Sequence, residues 1–191
     1  MKAKAEDAMI VIITGASHTG KTLLAQRLLE KYRIPYLSAD HLKMGLIRSG
    51  MTRLTPEDDA LLTGYLWPLL REMIKTAIEN RQSLTVEGCY VPFDWRKDLE
   101  PEYLRHVRFV CLALTAEYID ARYEDIVRHA CDIEARLTPS PSRDALAADN
   151  RAYIEGFRRA GERVALIDSD WEGAVGAIAE EIAEEKQTQG S

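Results

Sequence analysis

No stretch of this 191-residue sequence comes near the roughly 18 consecutive apolar residues that suggest a membrane-spanning helix. The charged start from Met1 to Ala8 leads only into a strand-length apolar run, not a secretory core, and both features argue for a cytoplasmic protein. Cysteine is scarce as well. Cys89, Cys111 and Cys131 are odd in number, far apart and never in a C-x-x-C pair, which fits reduced thiols and argues against a zinc site or a disulfide framework. Nor is there a dense Lys/Arg block. With a formal net charge of −6, the chain lacks the electrostatic footprint of a nucleic-acid or anionic-membrane surface, so positive charge has to be concentrated locally. No internal repeat is present, and the length suits a single domain, residues 1–191, large enough to bury a substantial core and carry a small insertion.

What is present is concentrated near the start. Gly15-Ala16-Ser17-His18-Thr19-Gly20-Lys21-Thr22 matches the phosphate-binding pattern G-x-x-x-x-G-K-[ST], between an apolar run and an amphipathic helix. Glycines at 15 and 20 allow turns that a Cβ would obstruct and bring backbone N–H groups within reach of phosphate oxygens, while the following helix adds its positive dipole end. Lys21 supplies a mobile charge for the β- and γ-phosphates, and the Thr22 hydroxyl a ligand for Mg²⁺. The flanks agree with this reading: Met9-Ile10-Val11-Ile12-Ile13 has the β-branched continuity of a strand buried on both faces, and Leu24, Leu28 and Tyr32 recur at helical spacing. His18 reads as a spacer whose backbone matters more than its ring.

Four further strands are expected at Tyr36–Ser38, Ser83–Glu87, Val107–Leu114 and Arg163–Ile167, with helical segments between them; this alternation predicts a parallel sheet in a three-layer αβα sandwich. Thr55-Pro56-Glu57-Asp58 reads as a helix start, running to about Asn80 with a bend near Pro68. Further helices are expected over Glu117–His129 and Asp144–Arg159, and Asp170 is placed to cap the last one, whose apolar stripe is Val175, Ile178 and Ile182. Residues 41–82 form a candidate acceptor-binding helical segment, and the polar, Pro- and Ser-containing stretch within 129–150 a candidate lid.

Two acids stand at strand ends. Asp40, just past the second strand, lies at the edge of a parallel sheet where ligands gather. There it can take the proton of an acceptor hydroxyl or hold metal-bound water, or else cap the helix near His41. Glu87 ends the third strand before Gly88; it is a candidate to orient Mg²⁺ through water, polarise an acceptor or fix Asp40, and otherwise reads as a buried acid that needs a partner. Phosphoryl transfer also calls for movable cations, and Arg122, Arg128, Arg136 and Arg143 fall in or beside the lid stretch; Arg128 and Arg136 bracket the helix-to-lid transition. Lys43, Arg48 and Arg53 lie on the acceptor side, suited to an anionic substrate, and Tyr65, Trp67, Phe93 and Trp95 are candidates to line that pocket or to join the core.

The phosphate loop with its flanks over residues 9–32, together with Asp40 and Glu87-Gly88, resembles the P-loop small-molecule and nucleotide kinases, the group holding adenylate, shikimate and gluconate kinases, chloramphenicol phosphotransferase and zeta-toxin-like kinases. The resemblance implies a sheet order of 2-3-1-4-5, ATP and Mg²⁺ as cofactors, the acid after the second strand as base and lid arginines that clamp ATP. Glu87-Gly88-Cys89-Tyr90-Val91-Pro92 is also similar to the E-G-x-x-x-P stretch of 2-phosphoglycerate kinase-like proteins. The D-G-[FY]-P-R element and G-K-G-T loop ending of nucleoside monophosphate kinases are absent. Three functions follow as alternatives: transfer of the γ-phosphate of Mg·ATP to a small-molecule hydroxyl or phosphate, non-catalytic ATP binding, or a toxin-type kinase acting on an activated sugar. A GTPase is disfavoured by the lack of an N-K-x-D motif.

Overall fold

The computed structural model describes residues 8–129 and 140–189. Five strands, β1 (Ile10–Gly15), β2 (Tyr36–Ser38), β3 (Leu84–Glu87), β4 (Val107–Leu114) and β5 (Val164–Ile167), form one sheet in the order β2-β3-β1-β4-β5. Every pairing is parallel, so the carboxyl ends of all five strands share one edge. The sheet order and the three-layer sandwich agree with expectation.

The continuous apolar runs are explained by what covers the two faces. Successive side chains of a strand alternate in direction, and β1 divides accordingly. Ile10 and Ile12 join a cluster with Leu62, Leu66, Leu70 and Ile74 of α3 (Asp59–Glu79). Met9, Val11 and Ile13 join a second cluster with Leu24 and Leu28 of α1 (Lys21–Tyr32) and Val175, Ala179 and Ile182 of α7 (Trp171–Gln189). Neither face of β1 meets water, which removes any reason for the polar alternation of a half-exposed strand. Trp67 and Trp95 belong to the first cluster, edge to face with centroids 6.5 Å apart, so these two aromatics are core and not pocket lining. Tyr65 and Phe93 remain partly exposed.

Several helix boundaries differ from the sequence expectation for identifiable reasons. α3 starts at Asp59, not at Pro56, because Asp58 accepts hydrogen bonds from the Thr55 amide at 2.8 Å and hydroxyl at 3.0 Å, closing a turn ahead of the helix. α2 (Ala39–Arg48) begins before Asp40, whose carboxylate therefore lies inside the first turn, where the dipole favours it; Ser38 holds the N-cap position. A 3₁₀ turn at Trp95–Asp98 and the short α4 (Pro101–Leu104) were not foreseen. α5 (Ala116–Arg128) is capped by the Thr115 hydroxyl and α6 (Arg143–Arg159) by the Ser142 hydroxyl. As expected, Asp170 caps α7, accepting from the Gly173 amide at 3.0 Å. Among the described residues no helix is long and apolar enough to cross a membrane.

α6 touches both clusters, Leu146 on one face and Phe157 on the other. Asn150 fixes its register: its buried carboxamide oxygen accepts from the Leu114 amide at 2.7 Å, and its nitrogen donates to the Leu146 carbonyl at 2.9 Å. Replacing Asn150 by Ala strands a buried backbone donor at the end of β4, so Asn150→Ala is expected to cost about 1–3 kcal/mol, read as a lower midpoint in urea; an unchanged midpoint would show that water replaces the carboxamide. Burial pushes the Cys111 thiol up to about 12, which leaves it without thiolate at neutral pH. Peptide mapping after alkylation of the folded protein should find Cys111 unmodified until denaturant is added; labelling under native conditions would contradict this burial.

Candidate active site

The loop from Gly15 to Gly20 is shaped by two close approaches. At Gly15, φ is 139° and a Cβ would lie 2.0 Å from the Leu112 carbonyl oxygen of the neighbouring strand. Gly20, at φ 86°, turns the chain into α1, and a Cβ there would meet the Trp171 ring at 2.3 Å. The same indole donates to the Thr19 carbonyl oxygen at 3.0 Å. Arg27 stands over the ring 5.7 Å from its centroid and pairs with Glu172 at 2.6 Å, tying α1 to the start of α7.

α1 has no side-chain cap and no acid in its first turn. Its first helical bond runs from the Leu24 amide to the Gly20 carbonyl, so the amides of Lys21, Thr22 and Leu23 have no intrahelical partner and, with the dipole, make an anion-binding end. Inside the loop, the buried Ala16 carbonyl accepts from Thr19 Oγ1 at 3.0 Å and from Lys21 Nζ at 2.7 Å. The loop lysine is thus folded onto its own loop. His18 adopts φ 64°, consistent with a position chosen for backbone shape.

Glu87 is 1% exposed, beside Ile13 of β1 on one side and Ser38 of β2 on the other. The Thr22 hydroxyl donates to its Oε2 at 3.3 Å. Two of the three candidate metal ligands, Thr22 and Glu87, therefore meet, and this pair of hard oxygen donors suits Mg²⁺, which takes few protein ligands and keeps several waters. Asp40, the third, is engaged elsewhere: its Oδ1 accepts from Lys43 Nζ at 2.7 Å and lies 3.5 Å from the Tyr90 hydroxyl. Lys43 also donates to Tyr90 Oη at 2.7 Å and lies against its ring. Among the described residues no group of three or more His, Cys, Asp and Glu side chains is arranged to hold a metal ion.

The arginine candidates are not gathered at the loop. Arg122 and Arg128 both pair with Asp125 on their own helix, at 3.4 and 2.9 Å. With side chains 58% and 68% exposed, these are solvated pairs that hold the guanidinium groups weakly. Arg143 lies over the Tyr123 ring, 5.2 Å from its centroid, and Arg136 falls outside the described residues. Two contacts at the loop were not foreseen. Trp171 is one; the other is Asp149 of α6, whose Oδ2 accepts from the Ser17 amide at 3.1 Å. They join residues 152 and 132 positions apart, and only the position of Trp171, just past the last strand, hinted at the loop.

No protein-family model matches the chain, and no curated protein matches it in sequence. Solved structures do. A gluconokinase from Sinorhizobium meliloti 1021 superposes with a TM-score of 0.54 at 15% identity, covering 96% of each chain. A shikimate kinase from Acinetobacter baumannii, in complex with shikimate, gives 0.57 at 16% identity over 96% of this chain and 95% of that one. A shikimate kinase from Aquifex aeolicus gives 0.54 at 12% identity over 94% and 99%. At such identities the likeness is one of fold, and over nearly its whole length the chain has the fold of the P-loop small-molecule kinases.

Proposed function

We propose that the protein is a phosphotransferase that moves the γ-phosphate of Mg·ATP to a hydroxyl or phosphate of a small-molecule acceptor. The observation that carries this reading is the convergence of the phosphate-binding motif, an uncapped helix end and the Thr22–Glu87 pair at one edge of the sheet, with the Asp40 carboxylate at the end of the adjacent strand pair. The kinase identity of the fold neighbours supports it.

In this mechanism the polyphosphate is held by the loop amides and the first turn of α1. Lys21 exchanges the Ala16 carbonyl for phosphate oxygens and neutralises the charge that spreads over them during transfer. Thr22 and, through water, Glu87 would hold Mg²⁺, which would supply positive charge to offset that of the polyphosphate. Asp40 is the base: it orients the acceptor hydroxyl and takes its proton, while Lys43 and Tyr90 fix the rotamer of that carboxylate. Residues 41–82 form the acceptor side, and the segment within 129–150 closes as a lid, bringing Arg128 and Arg136 to the phosphates and excluding water.

Lys21→Ala removes a transition-state cation and should lower acceptor-dependent ADP release by about 10²–10³-fold, with a melting temperature within about 2 °C of the parent. Full turnover in that folded variant would remove Lys21 from the chemistry. Asp40→Asn keeps the shape of the carboxylate and loses the base; kcat is expected to fall by about 10²-fold or more while ATP affinity, measured by calorimetry, stays the same. The screen uses ATP with a panel of hydroxylated and phosphorylated metabolites. ATP uptake without ADP release across the whole panel would favour a non-catalytic binder.

A further inference from the structure

Asp149 is a carboxylate on an amide of the phosphate loop, an unusual partner for a site whose chemistry calls for anions from outside. The Ser17 N–H donates to its Oδ2 at 3.1 Å, and among the described residues Asp149 forms no ion pair that would cancel its charge. The contact is not the accident of a loose surface side chain. The next residue, Asn150, is 1% exposed and pinned to the end of β4 by the 2.7 Å bond from the Leu114 amide. One turn on, the Tyr153 hydroxyl donates to the Cys89 carbonyl at 2.9 Å, just past β3. The backbone of α6 is therefore fixed on both sides of the central strand, and Asp149 is held at the loop by a rigid element.

We propose that Asp149 competes with the terminal phosphate of the nucleotide for the Ser17 amide and so sets how strongly the site distinguishes a triphosphate from a diphosphate. The proposal rests on the nucleotide-binding reading above. On the nucleotide-binding reading the amides at the start of α1 serve the α- and β-phosphates, which leaves the Ser17 amide, well ahead of that helix in the loop, for the phosphate at the end of the chain. A triphosphate there must displace a carboxylate and sit beside its negative charge, whereas a diphosphate leaves the Asp149 contact in place. Like charges at hydrogen-bonding range in a partly buried site repel strongly, so this residue weakens ATP selectively.

The test is calorimetric titration of the full chain, in the presence of Mg²⁺, with ADP and with the non-hydrolysable β,γ-imido analogue of ATP. Asp149→Asn keeps the size and an acceptor oxygen and removes the charge; Asp149→Ala removes both. Both variants are expected to bind the triphosphate analogue about tenfold more tightly, a change of about 1.4 kcal/mol, and ADP within about twofold of the parent. A purely structural role predicts the opposite sign, weaker binding of both nucleotides with a lower melting temperature, and either that result or an equal tightening of both would overturn the proposal. Should Asp149→Ala not fold, Asp149→Asn alone decides. A parent protein that takes up neither nucleotide overturns the nucleotide site itself, whereas normal uptake with unchanged selectivity in the variants overturns only the role of Asp149.

Discussion

The Thr19–Gly20 peptide carries the functional architecture of this chain. It turns through a left-handed conformation that only a residue without a Cβ fits, because the Trp171 indole fills the space a side chain would take. Once the Thr19 carbonyl is committed to the indole N–H, the Gly20 N–H of the same planar peptide points the opposite way. The other end of the loop is fixed as tightly, by Gly15 against the Leu112 carbonyl. A flexible hexapeptide would lose entropy on folding around an anion; a loop clamped at both glycines has lost most of it already. Pre-organisation of this kind is what lets backbone dipoles act on a transferring phosphate without rearranging at the moment of reaction.

A clamped loop still has donors to satisfy when no phosphate is near. Here the chain provides its own acceptors: the Ala16 carbonyl for Lys21, Glu87 for Thr22, Asp149 for Ser17. Each of these groups has a role in the proposed chemistry, and each contact is a hydrogen bond. Each has a charged partner and contributes about 1.5–3 kcal/mol, so these bonds order the loop and can be exchanged for bonds of the same kind to a polyphosphate. The bonds to Glu87 and Asp149 differ from the one to the Ala16 carbonyl because their acceptors are carboxylates, and a negative charge resists replacement by another anion in a way that a neutral carbonyl does not.

Much of this was legible before any coordinates. The phosphate motif is local, its glycines stand where backbone geometry requires them, and β2 and β4 end at Ser38 and Leu114 as their apolar runs predict. The start of α3 was misread because Thr55-Pro56 has the composition of a helix start, while the Asp58 carboxylate stabilises a turn from the same residues. Trp67 and Trp95 were ambiguous for another reason: a pocket and a core ask for the same apolar side chains, and only packing against Phe109 and α3 decides. Asp149 was out of reach because nothing local marks a residue whose contact crosses the whole fold, and for Trp171 only its place just past β5 gave a hint. The arginines at 122 and 128 are candidates by position alone, and both pair with Asp125 of their own helix.

The acceptor side obeys a different logic from the phosphate side. With the tryptophans withdrawn into the core, Asp40, Lys43 and Tyr90 form a bonded polar group near the end of β2. The side chain of Lys43 is 12% exposed and that of Asp40 38%, so the cation is the buried member and the carboxylate faces the opening. A lysine so placed has spent two donors on its neighbours and retains one. On the proposed reading an incoming molecule would meet a carboxylate backed by positive charge, which would suit a hydroxyl donor better than a second phosphate. On that reading an anionic group of the acceptor would be left to side chains further out, such as the exposed Arg48 and Arg53, where water screens charge.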